Sequence, residues 1–300
     1  MKIKLNEYFE LRRSLKNIRS LDYLPYPRAL LHSILIQKRM DSVRKKYHLF
    51  SKRSAEIVDL WRRERKFPEW LSLPPVMKIR ILMKGLGYSA REIGRMLRNP
   101  EVAEDDELRN SLWKAVTTDY VYSPIAAKIQ TVRGKMGEKL LGELVDKLGV
   151  EYKTEHEIGK TYRKTPDVLF EKTVKLNGRE VRWIESKALF GDTISHSRYF
   201  SKQYSHYREL FGDGVVIYWL GCIDEIDALT WSDLGCDTAR LLNMEIVLSE
   251  DGIKLEGNEI EAAMKAVDAY AEGFSVATSN QKVLKILRNM GFKLKNAKNS

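Results

Sequence analysis

Two carboxylates and an ammonium stand inside apolar sequence in this 300-residue chain. Asp167 lies in Thr165-Pro166-Asp167-Val168-Leu169-Phe170, and Glu185 and Lys187 lie in Trp183-Ile184-Glu185-Ser186-Lys187-Ala188. Unpaired charge in a core strand is costly, so these residues need a use. The simplest is a divalent metal site made of carboxylate oxygens, with a lysine beside it. The Asn177-Gly178 pair between the two runs predicts a β-hairpin. Alternation along the second strand puts Trp183, Glu185 and Lys187 on one face and Ile184, Ser186 and Ala188 on the other. Asp167, from the preceding strand, reaches the same place.

Other elements must hold that hairpin. Arg133 to Leu148 reads as an amphipathic helix with Met136, Leu140, Leu141, Leu144, Val145 and Leu148 as its apolar stripe. Glu138 lies at the N-terminal end of the stripe and can point toward what the stripe covers. The alternative is an exposed first-turn glutamate that favours the helix dipole. Gly134 and Gly137 let the backbone come close to a sheet. Gly149 to Tyr152 reads as extended. After the hairpin a helix carries Tyr199 to Tyr207, Gly212-Asp213-Gly214 ends it, and Val215 to Leu220 reads as a strand buried on both faces.

The order helix, three strands, helix, strand, together with Glu138, Pro166-Asp167 and Glu185-Ser186-Lys187, resembles the PD-(D/E)xK nuclease superfamily over residues 130–222. That resemblance implies an α/β fold, a mixed-sheet restriction-endonuclease-like core (αβββαβ). It implies Mg²⁺ or Mn²⁺ held by Asp167, Glu185 and the Ser186 carbonyl, with Glu138 binding directly, through water, or at a second ion. Lys187 would position the attacking water and stabilise charge on the phosphorus centre. Gln203 matches a polar helical residue of several branches, and Tyr207 completes a Gln-x-x-x-Tyr pattern and is a candidate nucleic-acid contact. The Thr165-Pro166-Asp167 triplet and the basic N-terminal half are similar to the TPD-motif family, which has archaeal and vertebrate members. It implies a metal-dependent nuclease related to Holliday-junction resolvases, preceded by helix-turn-helix-like segments.

Charge divides the chain. Residues 1–130 hold 27 Lys+Arg against 15 Asp+Glu, whereas residues 131–300 hold 25 against 26. The excess favours a polyanionic partner for the first half. That half reads as helices over Leu5–Leu21, Arg28–Tyr47, Lys52–Lys66, Val76–Leu86, Ser89 onward and Ala103–Val116, followed by a connector over Thr117–Pro124. Gly87 to Leu97 resembles the middle of a helix-turn-helix, yet the helix after it opens on Glu104-Asp105-Asp106-Glu107, which repels phosphate. Arg91, Arg95 and Arg98 are the candidate phosphate contacts there, with Arg163 and Lys164 beside the hairpin. A more basic pair of helices at residues 28–66 and a plain packing module are alternatives. The expected segments are a helical, helix-turn-helix-like domain over 1–126, a nuclease domain over 127–250, and a helical extension over 251–300 packed on the nuclease domain. In that extension Ser279 is expected to cap the last helix, Asn280 to Met290, and the basic tail Lys293–Ser300 to fray.

Several classes drop out. No run of about 18 apolar residues predicts a membrane span, and the N-terminus has no apolar region of a secretory signal. Cys222 and Cys236 have no zinc-site spacing and fit a reducing compartment. Ser195-His196 has no acid partner for a hydrolase. The expected location is cytoplasmic, or nuclear in a eukaryote. The expected partner is DNA, with RNA left open and a homodimer expected by analogy. A non-catalytic binding or scaffold protein on the same fold is the second reading.

Overall fold

The computed structural model describes residues 1–297. Strand β1 (Lys2–Ile3) leads into α1 (Leu5–Ser14), and a 3-10 turn at Ile18–Asp22 replaces the expected continuous helix. Helices α2 (Arg28–Ser51) and α3 (Ser54–Glu64) follow. α4 (Pro75–Gly85) opens on a proline, whose missing N–H has no partner to lose at that position. α5 (Ala90–Arg98) opens on a capping box in which Ser89 accepts from the Glu92 amide and Glu92 accepts from the Ser89 amide. α6 (Asp106–Thr118) is capped by Asp105, which accepts from the Leu108 amide at 2.8 Å.

Helix α7 (Pro124–Leu148) begins well before the expected Arg133. Ser123 caps it by accepting from the Ala126 amide at 3.1 Å, and Pro124 takes the first helical position. The expected connector at residues 117–124 is therefore the end of one helix and the cap of the next. Beyond it come β2 (Tyr152–Thr154), α8 (Glu155–Ile158), β3 (Val168–Leu176), β4 (Arg179–Lys187), α9 (Thr193–Tyr199) and α10 (Ser205–Phe211), the last two joined by a π-helical segment, Phe200–Tyr204. Then follow β5 (Gly214–Tyr218), β6 (Cys222–Ile223), β7 (Leu229–Thr230), α11 (Trp231–Leu234) and α12 (Ala239–Asn243). The chain closes with β8 (Glu245–Lys254), α13 (Glu259–Glu272), β9 (Val276–Ala277), α14 (Gln281–Asn289) and β10 (Lys293–Asn296).

The chain forms two compact units. One comprises residues 1–16, 22–34 and 133–243. Its centre is a mixed five-stranded sheet of order β2-β3-β4-β5-β7. β2, β3 and β4 are antiparallel, and β4, β5 and β7 are parallel. The hairpin turns at Asn177 (φ 46°) and Gly178 (φ 79°), the two left-handed residues that a type I′ turn requires. β5 is the buried strand expected from its apolar run, with Val215, Val216, Ile217 and Tyr218 all in the core. β1 pairs in parallel with β6, a long-range contact that no local pattern announces.

The other unit comprises residues 17–21, 35–132 and 244–300. It joins the helices α3 to α6 to a parallel three-stranded sheet of order β10-β8-β9. This grouping is cut differently from the expected segments 1–126, 127–250 and 251–300. The C-terminal helices pack on the helical stretch: Asn289 donates to the Thr117 carbonyl at 3.1 Å, Lys128 pairs with Asp268 at 2.7 Å, and Met290 is fully buried with its sulfur 3.7 Å from the Ser123 hydroxyl. The expected all-α domain is thus a mixed unit. Asn280, not Ser279, caps the last helix. Lys293–Asn296, expected to fray, is a strand paired with β8; Lys298, Asn299 and Ser300 lie outside the described residues.

Candidate active site

The hairpin brings Asp167 and Glu185 together. Val168 pairs with Ile184 across β3 and β4, so one step outward Asp167 stands across from Glu185, on the same face of the sheet. The Asp167 carboxylate accepts the Ser186 amide at 2.6 Å, and its carbonyl accepts the Glu155 amide at 3.2 Å. Lys187, next on that face, donates to Glu185 Oε1 at 2.5 Å. The Lys187 side chain is 18% exposed and that of Glu185 only 4%. The second Glu185 oxygen, Oε2, is buried and has no hydrogen-bond partner among the described residues.

Electrostatics follow from that burial. Burial, and then the Asp167 charge, push Glu185 up to about 7, and Lys187 only partly opposes them. Burial also raises Asp167 above the usual carboxylate range, against the pull of the Ser186 amide and Lys187. Burial disfavours the Lys187 ammonium, but Glu185 and Asp167 outweigh it and raise its pKa. The lysine is therefore a fixed cation between two acids that resist ionising together.

A helix covers this face. The Tyr199 ring lies 5.0 Å from Lys187 Nζ, and the Tyr207 ring meets Trp183 edge-on at 5.3 Å. Gln203 lies between those two tyrosines, in the π-helical segment, and its Oε1 is buried without a partner among the described residues. Tyr207, expected as a nucleic-acid contact, is instead 2% exposed, and its hydroxyl donates to the Thr165 carbonyl at 2.7 Å. It fixes the Thr165-Pro166-Asp167 triplet and has no surface left to offer. On the opposite face, Ser186 Oγ accepts from Trp219 Nε1 at 2.7 Å. There α7 comes close at Gly137, where a Cβ would lie 2.9 Å from Trp219 Cδ1 and 3.2 Å from Ala188 Cβ.

Residues 104–237, which span all of these groups except the far elements of the sheet unit, match one family. They include the Thr165-Pro166-Asp167 triplet. The matching family model is described as "Protein of unknown function TPD sequence-motif". The chain is also similar to proteins named "CDAN1-interacting nuclease 1": 38% identical over 136 residues in Mus musculus and in Homo sapiens, and 35% over 140 residues in Danio rerio. These matches cover 45% of this chain and 48% of the mouse and human proteins, so the chain spans about half the length of the curated relatives it matches. No solved structure matches.

Glu138, on α7, is exposed and acts on Asp167 through its charge. Among the described residues no three His, Cys, Asp or Glu side chains gather into a metal-holding group. Lys164 is exposed and donates to the Lys202 carbonyl at 2.9 Å, which ties the strand entry to the covering helix; Arg163 beside it is exposed. Arg91, Arg95 and Arg98 are all exposed on α5, in the other unit.

Glu155 was missed. It begins α8, gives its amide to the Asp167 carbonyl, and its charge raises both Asp167 and Glu185. The capping pair Thr154 and Glu157 marks a helix start in the sequence. Nothing local says that this start lands beside the TPD aspartate.

Proposed function

We propose that this protein is a metal-dependent nuclease that hydrolyses DNA phosphodiester bonds on a PD-(D/E)xK core. One observation carries the reading: two half-buried or buried acids, Asp167 and Glu185, face each other across a hairpin with Lys187 held against one of them and Glu185 Oε2 left without a partner among the described residues. The names of the similar proteins add support. The order α7, β2, α8, β3, β4, α9 to α10, β5 supports an αβββαβ core with the short helix α8 inserted after its first strand.

The donor set fits a divalent cation. Carboxylate oxygens are hard ligands suited to Mg²⁺ or Mn²⁺, and a cation between Asp167 and Glu185 would offset the Asp167 charge that raises the Glu185 pKa. Asp167, Glu185 and the Ser186 carbonyl would hold it, with Glu138 reaching it from α7. A strand residue's carbonyl and amide leave on the same side, and the Ser186 amide already faces Asp167. The bound ion would supply Lewis-acid activation of water and charge neutralisation at the phosphate.

The chain's own residues supply the rest. The Lys187 ammonium would hold the attacking water or donate to a phosphate oxygen as charge develops there. Gln203, on the covering helix, would orient the same water or the scissile phosphate. Arg163 and Lys164 stand exposed at the strand entry, where a flanking phosphate would pass. Arg91, Arg95 and Arg98, exposed on α5, would contact phosphates of the duplex. The likeness to resolvases makes branched DNA the first substrate to try.

A cleavage panel tests this reading: single-stranded, duplex, flap and four-way DNA, and RNA, each in Mg²⁺ and in Mn²⁺. DNA cleavage by the wild-type chain that is lost in Asp167→Ala, Glu185→Ala and Lys187→Ala, with DNA binding retained, is the expected result. Cleavage of RNA alone would move the substrate assignment. Binding without cleavage of any member would favour a scaffold on a nuclease fold.

A further inference from the structure

The helical part of the second unit holds a pocket of ≈ 500 Å³ between α3, α4 and α6. Trp61 and Phe67 form its aromatic wall, with ring centroids 5.3 Å apart. Trp61 is buried and Phe67 half-exposed to the pocket. Four cations line it, Arg65, Lys66, Lys78 and Lys114, against a single acid, Glu69. Arg65 is already paired with Asp105 at 2.8 Å. Lys66, Lys78 and Lys114 have no carboxylate partner among the described residues.

Lys78 is the informative member. It is half-buried, and its Nζ lies 6.0 Å from the Phe67 ring centroid. Burial, and then the Lys114 charge, lower its pKa. Two ammoniums that repel each other in a partly desolvated pocket are stabilised by an anion from outside. The ring beside them is a stacking surface. A phosphate and a flat apolar ring a few ångströms apart are the two ends of a nucleotide. The approach is favourable too, since residues 44–98 hold 15 Lys+Arg against 5 Asp+Glu.

We propose that this pocket takes one nucleotide of a single-stranded nucleic acid, with its base on Phe67 and its phosphate between Lys78 and Lys114. Arg91, Arg95 and Arg98 are not part of it. The binding needs no divalent cation and does not depend on the nuclease reading.

The test is anisotropy titration of the full chain with fluorescent dT12 in EDTA, over a series of salt concentrations. The double variant Lys78→Gln/Lys114→Gln is expected to bind about ten-fold more weakly at low salt, with its log–log salt slope smaller by about 1.4, the value for two lost phosphate contacts on a single strand. Phe67→Leu is expected to lose about ten-fold in affinity with the slope unchanged, because stacking carries no counterion release. Far-UV circular dichroism confirms that the variants fold. Unchanged affinity and slope in the folded double variant would overturn the proposal. So would a phosphotyrosine peptide that binds the wild-type pocket more tightly than dT12, which would reassign it to a protein partner.

Discussion

The Ser186 amide donates to the Asp167 carboxylate at 2.6 Å, so the strand that carries Glu185 also fixes the acid opposite it. Asp167→Asn keeps an acceptor for that amide, whereas Asp167→Ala leaves it unmet, at a cost of about 1–3 kcal/mol. Both variants are expected to lower cleavage about a thousand-fold, and only the alanine to lower Tm by several degrees. Thermal melts and single-turnover cleavage of the two variants separate the contact from the charge. An Asp167→Asn protein that cleaves at the wild-type rate would remove Asp167 from the chemistry.

Glu185 gives the fold a pH dependence of known sign. Its pKa rises from an ordinary 4.5 to about 7 on folding. Below about 4.5 both folded and unfolded chains hold the proton, and the group contributes nothing. As pH climbs to about 7 the unfolded chain releases it first, so stability falls, by up to about 3 kcal/mol once the folded group also ionises. Asp167 is shifted in the same direction and adds to the trend. Metal-free protein is therefore expected to melt at a lower temperature at pH 8 than at pH 5, and Glu185→Gln to flatten the difference. Mg²⁺ or Mn²⁺ should restore Tm at pH 8 and do little at pH 5, since the ion needs the ionised acids. Equal stabilisation by metal at both values would place the ion elsewhere.

Tyr207→Phe deletes one hydrogen bond, the 2.7 Å contact to the Thr165 carbonyl. The expected loss is about 1 kcal/mol, a drop of about 2–4 °C in Tm, together with slower cleavage because the triplet loses its anchor. DNA affinity should not move. A variant with unchanged Tm and weakened DNA binding would return Tyr207 to the surface role that its position in the sequence suggested.

Gly137 and Gly134 share a helix and should respond oppositely to alanine. At Gly137 the new Cβ would meet Trp219 Cδ1 at 2.9 Å, while at Gly134 nothing lies within 4 Å. Gly137→Ala is expected to destabilise by about 1–3 kcal/mol through overpacking. Gly134→Ala should stabilise by roughly 0.5–1 kcal/mol through helix propensity alone. Denaturant titrations of the two single variants provide the check.

What the sequence carried was local. Alternation and Asn177-Gly178 specify the hairpin, because side-chain direction and turn chemistry are decided within a few residues. Ser89 and Glu92 mark the start of α5 for the same reason. The Asp167–Glu185 pairing follows from the hairpin register. By contrast, Tyr207 reads as an exposed helical residue until the Thr165 carbonyl, far off in sequence, arrives to take its hydroxyl. Glu155 reads as a helix start and nothing more. The packing of Met290 and Asn289 against Ser123 and Thr117 depends on which surfaces meet after folding, and no periodicity encodes that. Pro124, which opens α7, reads in the sequence as the end of a connector, because nothing local fixes the helix that follows it.

The π-helical segment at Phe200–Tyr204 adjusts one ruler to another. Tyr199 lies over Lys187 and Tyr207 over Trp183. The two strand residues are four apart, about 13 Å along β4, and the two tyrosines are eight apart, about 12 Å along the helix. The lengths agree, but eight residues of ordinary α-helix overshoot two full turns by about 80°, which would swing one tyrosine off the strand. The wider π turn absorbs that surplus residue, and both rings stay in line. The midpoint of the helical row is Gln203 and that of the strand row is Glu185, and each carries a buried oxygen, Gln203 Oε1 and Glu185 Oε2, without a hydrogen-bond partner among the described residues.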